Sequence, residues 1–94
     1  MLEVQISKSG MTKVIVTFHA NTLEYFYATS NGGGRSFHVG HIKNIELVTN
    51  KKGKHLLHME TEYHKFDDEV EERAIPKTRE LVAAVQEAMK AANL

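Results

Sequence analysis

Ile75-Pro76-Lys77-Thr78-Arg79-Glu80-Leu81-Val82-Ala83-Ala84-Val85-Gln86-Glu87-Ala88-Met89-Lys90-Ala91-Ala92-Asn93-Leu94 is the one stretch of this chain with a helical period. On a helical wheel Leu81, Val82, Val85, Ala88, Met89 and Ala92 form one stripe, with Ile75 at its edge. Lys77, Arg79, Glu80, Ala83, Gln86, Glu87 and Lys90 take the other side. Pro76 fits the first helical position, where its missing N–H costs nothing, and Asn93 reads as a stop. The period predicts a helix over about 76–92. A helix with a single apolar side needs a surface to cover, and everything upstream reads as short strands and turns.

Upstream, Leu2, Val4 and Ile6 alternate with Glu3, Gln5 and Ser7, the mark of a half-buried strand. Lys8-Ser9-Gly10 reads as a turn, and Thr12 to His19 as a second strand rich in β-branched residues. Ala20-Asn21-Thr22 is a tight connection in which Asn21 can adopt a left-handed conformation. The third strand runs from Leu23 to Ala28. Ser30-Asn31-Gly32-Gly33-Gly34 reads as a mobile loop, because glycine costs the most entropy to fix. Arg35 to Val39 resumes as a strand, Gly40 marks a bulge or corner, and Ile42 to Val48 comes next. Asn50-Lys51-Lys52-Gly53 then closes a hairpin with Lys54 to Thr61. Glu62 to Phe66 extends that strand or starts another. The acidic run Asp67 to Arg73 reads as a loop, with a short strand about Val70 to Ile75.

These elements predict an α+β fold in a single domain over 1–94. Six or seven antiparallel strands, spanning about 2–75, curl into a sheet or barrel capped by one C-terminal amphipathic helix. A helix of about sixteen residues is roughly 24 Å long, enough to cross a small barrel's mouth.

The 94 residues carry 12 basic and 12 acidic side chains, so there is no net positive charge to favour nucleic acid as a partner. No cysteine is present, which removes disulfides and thiolate metal sites, and a reducing compartment is permitted. The Met1-Leu2-Glu3-Val4-Gln5-Ile6 start lacks the basic and apolar segments of a signal peptide, and no window is long and apolar enough for a membrane span. A cytoplasmic location is expected.

Phe37-His38-Val39-Gly40-His41-Ile42-Lys43-Asn44-Ile45-Glu46-Leu47, then Lys52-Gly53 before Leu56-Leu57-His58-Met59, then the helix with Leu81, Val82, Val85 and Met89, resembles small bacterial pleckstrin-homology-like domains. The likeness covers roughly the last sixty residues and is a pattern of hydrophobic positions. It implies a barrel capped by a C-terminal helix. Phosphoinositide-binding members of that family use basic residues in the loop joining the first two strands. The corresponding loop here holds Lys8 and Lys13 and no arginine.

Candidate chemistry is sparse. His38/His41 and His55/His58 share a His-x-x-His spacing that zinc or nickel would accept, though residues three apart on a strand face opposite ways. Arg35 after the glycine run lacks the ending of a phosphate-binding loop and leads into a strand. Tyr25 and Tyr27 could stack a ligand, with two rings of Tyr25-Phe26-Tyr27 facing one way and one the other. Lys8, Lys13, Lys51, Lys52 and Lys54 form basic turns suited to anionic lipid. The basic tip could also meet the acidic run of another copy. With no nucleophile motif and no paired carboxylates, the chain reads as a non-catalytic binding or scaffolding module needing no cofactor. Its contacts are expected with another protein or its own copies, through the faces of Ile42 to Val48 and its hairpin partner or through an unpaired strand edge. Peripheral binding of an anionic ligand is the alternative, and histidine-based metal binding a second one.

Overall fold

The computed structural model describes residues 1–9, 12–28 and 32–92. The turn expected at Gly10, the first part of the loop at Ser30 and Asn31, and the stop at Asn93 lie outside the described residues. Seven antiparallel strands form two sheets, followed by one C-terminal helix. Strands β1 (Leu2–Ser9), β2 (Thr12–His19), β3 (Thr22–Ala28) and β4 (Gly33–His38) make a four-stranded meander in that order. Strands β5 (Ile42–Thr49), β6 (His55–Thr61) and β7 (Lys65–Val70) make a three-stranded one. Helix α1 spans Ile75–Ala92, one residue earlier than Pro76 indicated, because a 3-10 turn at Glu72–Ala74 feeds it directly.

Two-residue alternation builds both inner faces. Val4, Val16, Leu23 and Tyr25 point inward from the first sheet, and Ile45, Leu57, Met59 and Val70 from the second. On α1, Ile75, Leu81, Val82 and Val85 are buried and Ala88 and Met89 partly so, whereas Ala92 is exposed. Each fully covered aliphatic side chain contributes about 1.5–3 kcal/mol by leaving water. Thr78 joins the buried stripe because its hydroxyl donates to the Ala74 carbonyl at 2.8 Å, leaving no polar atom unpaired.

The expected barrel does not close. A 3-10 turn at Val39–His41, rather than a bulge at Gly40, carries the chain from β4 to β5, and no ladder joins those strands. At the other corner β1 is bulged between Gln5 and Ser7, so Ile6 has no partner on β2. Its carbonyl instead accepts the Glu71 N–H at 2.7 Å, and the Lys8 N–H donates to the Glu71 carboxylate at 2.8 Å.

Two further expectations are corrected. Gly33 and Gly34 are not loop residues but open β4, opposite Tyr27 and Phe26. A Cβ on Gly34 would stand 3.1 Å from the Tyr25 carbonyl oxygen, so the position admits the neighbouring backbone closely. Much of the acidic run is strand rather than loop: β7 ends at Val70, and the chain then passes through a 3-10 turn into α1. Phe66, Asp68 and Val70 face inward while Asp67 and Glu69 face out.

The hairpins follow turn chemistry. Asn50 accepts the N–H groups of Lys52 and Lys54 on its side-chain oxygen at 2.9 and 3.0 Å, with Gly53 at φ 80°. The β2–β3 connection has both Ala20 (φ 51°) and Asn21 (φ 62°) left-handed, the two-residue turn whose twist matches the strands. Alanine gains nothing there to offset its Cβ clash. Ala20→Asn is therefore expected to raise the melting temperature by about 3–6 °C in a thermal scan, from roughly 0.5–1 kcal/mol of relieved strain.

Candidate functional site

Strand edges decide what this surface can offer. The outer edge of β5 is covered where the Gln86 side-chain amide, from α1, donates to the Ile45 carbonyl at 2.8 Å. The outer edge of β1 is held at Glu71. Strand β4 pairs with β3 alone, and among the described residues its other edge makes no backbone hydrogen bond. Its residues are exposed except for half-buried Phe37. Strand β7 also has an open edge, but Lys65, Asp67, Asp68 and Glu69 crowd it with charge. Beside β4 lies a groove of about 340 Å³ lined by Phe37, His41, Lys43, Thr61, Glu62 and Tyr63. Tyr63 is 82% exposed there.

Tyr25 and Tyr27 face one way and Phe26 the other, but the pair points inward, so the expected stacking platform is an inner wall. Tyr25 is 2% exposed and meets Tyr27, Phe37 and Phe66 at ring-centroid distances of 6.4, 6.2 and 6.1 Å. The Arg35 guanidinium lies 5.3 Å from the centre of the Phe66 ring. The Tyr27 hydroxyl reaches Asp68 at 3.4 Å. Burial, reinforced by the Asp68 charge, pushes the Tyr27 phenol upward. Burial also lifts the Asp68 carboxyl, against the pull of Tyr27's hydrogen bond. Arg35 and the two tyrosines thus gather where β3, β4 and β7 meet.

The lysines do not join them at that cluster. Lys8 and Lys13 stand opposite one another in the β1–β2 ladder, and Lys51, Lys52 and Lys54 occupy the β5–β6 hairpin, with Lys54 3.4 Å from Glu69. The histidine pairs are engaged separately. His38 and His41 have ring centroids 6.4 Å apart, and Nδ1 of His38 accepts the Gly40 N–H at 3.0 Å. His55 Nδ1 lies 3.1 Å from the Thr49 hydroxyl. Among the described residues no group of three or more His, Asp or Glu side chains could hold a metal ion.

A polar cluster on the outer face of the second sheet has no signature in the sequence. His58 faces Asp67 across the ladder, with Nδ1 2.7 Å from the Asp67 carboxylate and Nε2 2.9 Å from that of Glu60. Hydrogen bonding to Asp67, then to Glu60, raises the His58 pKa. The bond from His58 lowers that of Glu60. A histidine raised in the folded state stabilises fully below its unfolded value of about 6.5, and that contribution fades as pH rises through the folded value. His58→Gln should therefore lower the melting temperature by a few degrees at pH 6, and the gap to the parent should shrink at higher pH. A gap independent of pH would contradict the ion-pair account.

Comparison of the chain with family models, curated proteins and solved structures finds no match. Function has to be read from the surface. No described helix is long and apolar enough to cross a membrane.

Proposed function

We propose that this chain is a non-catalytic binding module of pleckstrin-homology-like shape that meets another protein, or its own copy, along the outer edge of β4. The four-plus-three strand arrangement with a terminal helix over the inner faces supports the shape. The observation that carries the contact is the β4 edge itself. It is exposed, holds two glycines and a single formal charge, and lacks the side-chain cap found on β5 or the charges found on β7. An added strand would satisfy its backbone groups, and the groove under Phe37 and Tyr63 would receive a side chain.

Amide-resolved NMR against peptides selected from a random displayed library tests this reading. Shifts and slowed exchange are expected at Gly33–His38 and Tyr63. Changes confined to the lysine turns or the outer face of β5–β7 would overturn it.

A second reading is peripheral attachment to anionic lipid. It draws support from Lys8 facing Lys13, an unfavourable like-charge pair that an anion between them would relieve. Lys51 and Lys52 also have no acidic partner among the described residues. Co-sedimentation with phosphatidylserine vesicles at low salt, lost at moderate salt, is the expected result, and its absence at low salt removes this reading.

A further inference from the structure

We propose that the β4 edge is self-complementary, and that two copies of the chain pair antiparallel along it about a two-fold axis at Ser36. The inference rests on β4 being the contact edge and adds the identity of the partner. The ladder with β3 fixes the faces: Gly34, Ser36 and His38 share the outer face with Phe26, Glu24 and Thr22, while Gly33, Arg35 and Phe37 share the inner face with Tyr27, Tyr25 and Leu23.

Directly opposed residues in an antiparallel pair share a face, so a symmetric pairing must centre on a residue. Centring on Arg35 sets guanidinium against guanidinium. Centring on Phe37 runs the partner into the turn at Val39–His41. Centring on Gly34 leaves almost no overlap. Ser36 is the centre that removes each fault. It opposes Arg35 to Phe37 of the second copy twice, a cation against a ring, and Gly34 to His38 twice.

The outer row then explains an exposed aromatic. Phe26 is 52% exposed and lies beside Gly34, which has no side chain to cover it. In the dimer, His38 of the second copy is next along that row and folds over the ring. The Gly40 N–H donates to His38 Nδ1 at 3.0 Å, which holds that imidazole in a fixed orientation. Two four-stranded sheets become one of eight strands.

The chain has no cysteine, so one introduced thiol reports cleanly. Residues on the two-fold would have Cα atoms about 4.5–5.5 Å apart, within disulfide range. Ser36→Cys is expected to form a covalent dimer in a glutathione redox buffer on the order of ten-fold faster than Glu24→Cys, one strand further in on the same face. Light scattering should show the parent's mass rising above 10.6 kDa with concentration. Ser36→Lys, which sets two ammonium groups opposite each other at an exposed position, should stay monomeric with unchanged circular dichroism. A parent that stays monomeric at millimolar concentration, equal cross-linking of the two cysteine variants, or a Ser36→Lys variant that still dimerises would each overturn the inference. Peptide-induced shifts at β4 would in that case still uphold the contact edge, so the two readings fail separately.

Discussion

Leu81→Ala is expected to lower the melting temperature by about 12–24 °C, from a loss of roughly 3 kcal/mol. Leu81 is 1% exposed and sits mid-stripe on α1, between Thr78 and Val85, in the helix that packs against β1 and β5. Truncation removes transfer energy and leaves a cavity that two sheets and a helix cannot all collapse into. A domain of this size has about 5–15 kcal/mol of stability, so about a fifth to more than half would vanish. Ala83→Gln, on the exposed side of the same helix, should move the midpoint by no more than a degree or two. Thermal circular dichroism of the two variants side by side checks this. A small shift for Leu81→Ala would mean that α1 does not seal the core.

The helix was legible because an apolar stripe at 3.6-residue spacing survives without any knowledge of its partner. Where a polar residue faced inward, the pattern failed. Thr78 escaped because its hydroxyl is satisfied by its own helix, and Asp68 disguised β7 as a loop by taking an inward position next to Tyr27. Gly33 and Gly34 misled for the opposite reason: their entropic cost is real, yet β3 pairs with them all the same. Candidate-site residues were readable one at a time, not as constellations. That His58 meets Asp67 depends on the β6–β7 register, and that Gln86 covers Ile45 depends on a contact 41 residues along the chain. Arg35, Tyr25 and Tyr27 were each singled out by residue type. That Arg35 and Tyr25 meet at Phe66, with Tyr27 beside Tyr25 and Asp68, comes from how one sheet lies over the other, which no local period encodes.

Tyr25 gives the second large effect, and it separates ring from hydroxyl. Its ring touches Tyr27 on its own strand, Phe37 on β4 and Phe66 on β7, so it ties the two sheets together. Tyr25→Ala should cost about 3–5 kcal/mol, a fall in melting temperature of about 12 °C or more. The hydroxyl does the reverse: it is buried with no hydrogen-bond partner among the described residues, a desolvated donor with nothing in return. Tyr25→Phe is therefore expected to be neutral or to stabilise by up to about 1 kcal/mol. Burial, helped by the Asp68 and Tyr27 charges, also drives the Tyr25 phenol far above its usual value. Its folded value being raised, the stability it confers is intact below the unfolded value of about 10 and is lost as pH climbs beyond it. The parent should thus weaken in alkali from about pH 10 upward, while Tyr25→Phe, with no proton to lose there, should hold to higher pH. Denaturant unfolding of the parent and both variants at pH 7 and pH 11 separates the two contributions. A Tyr25→Phe variant that loses more than about 1 kcal/mol at pH 7 would show that the hydroxyl is satisfied in solution.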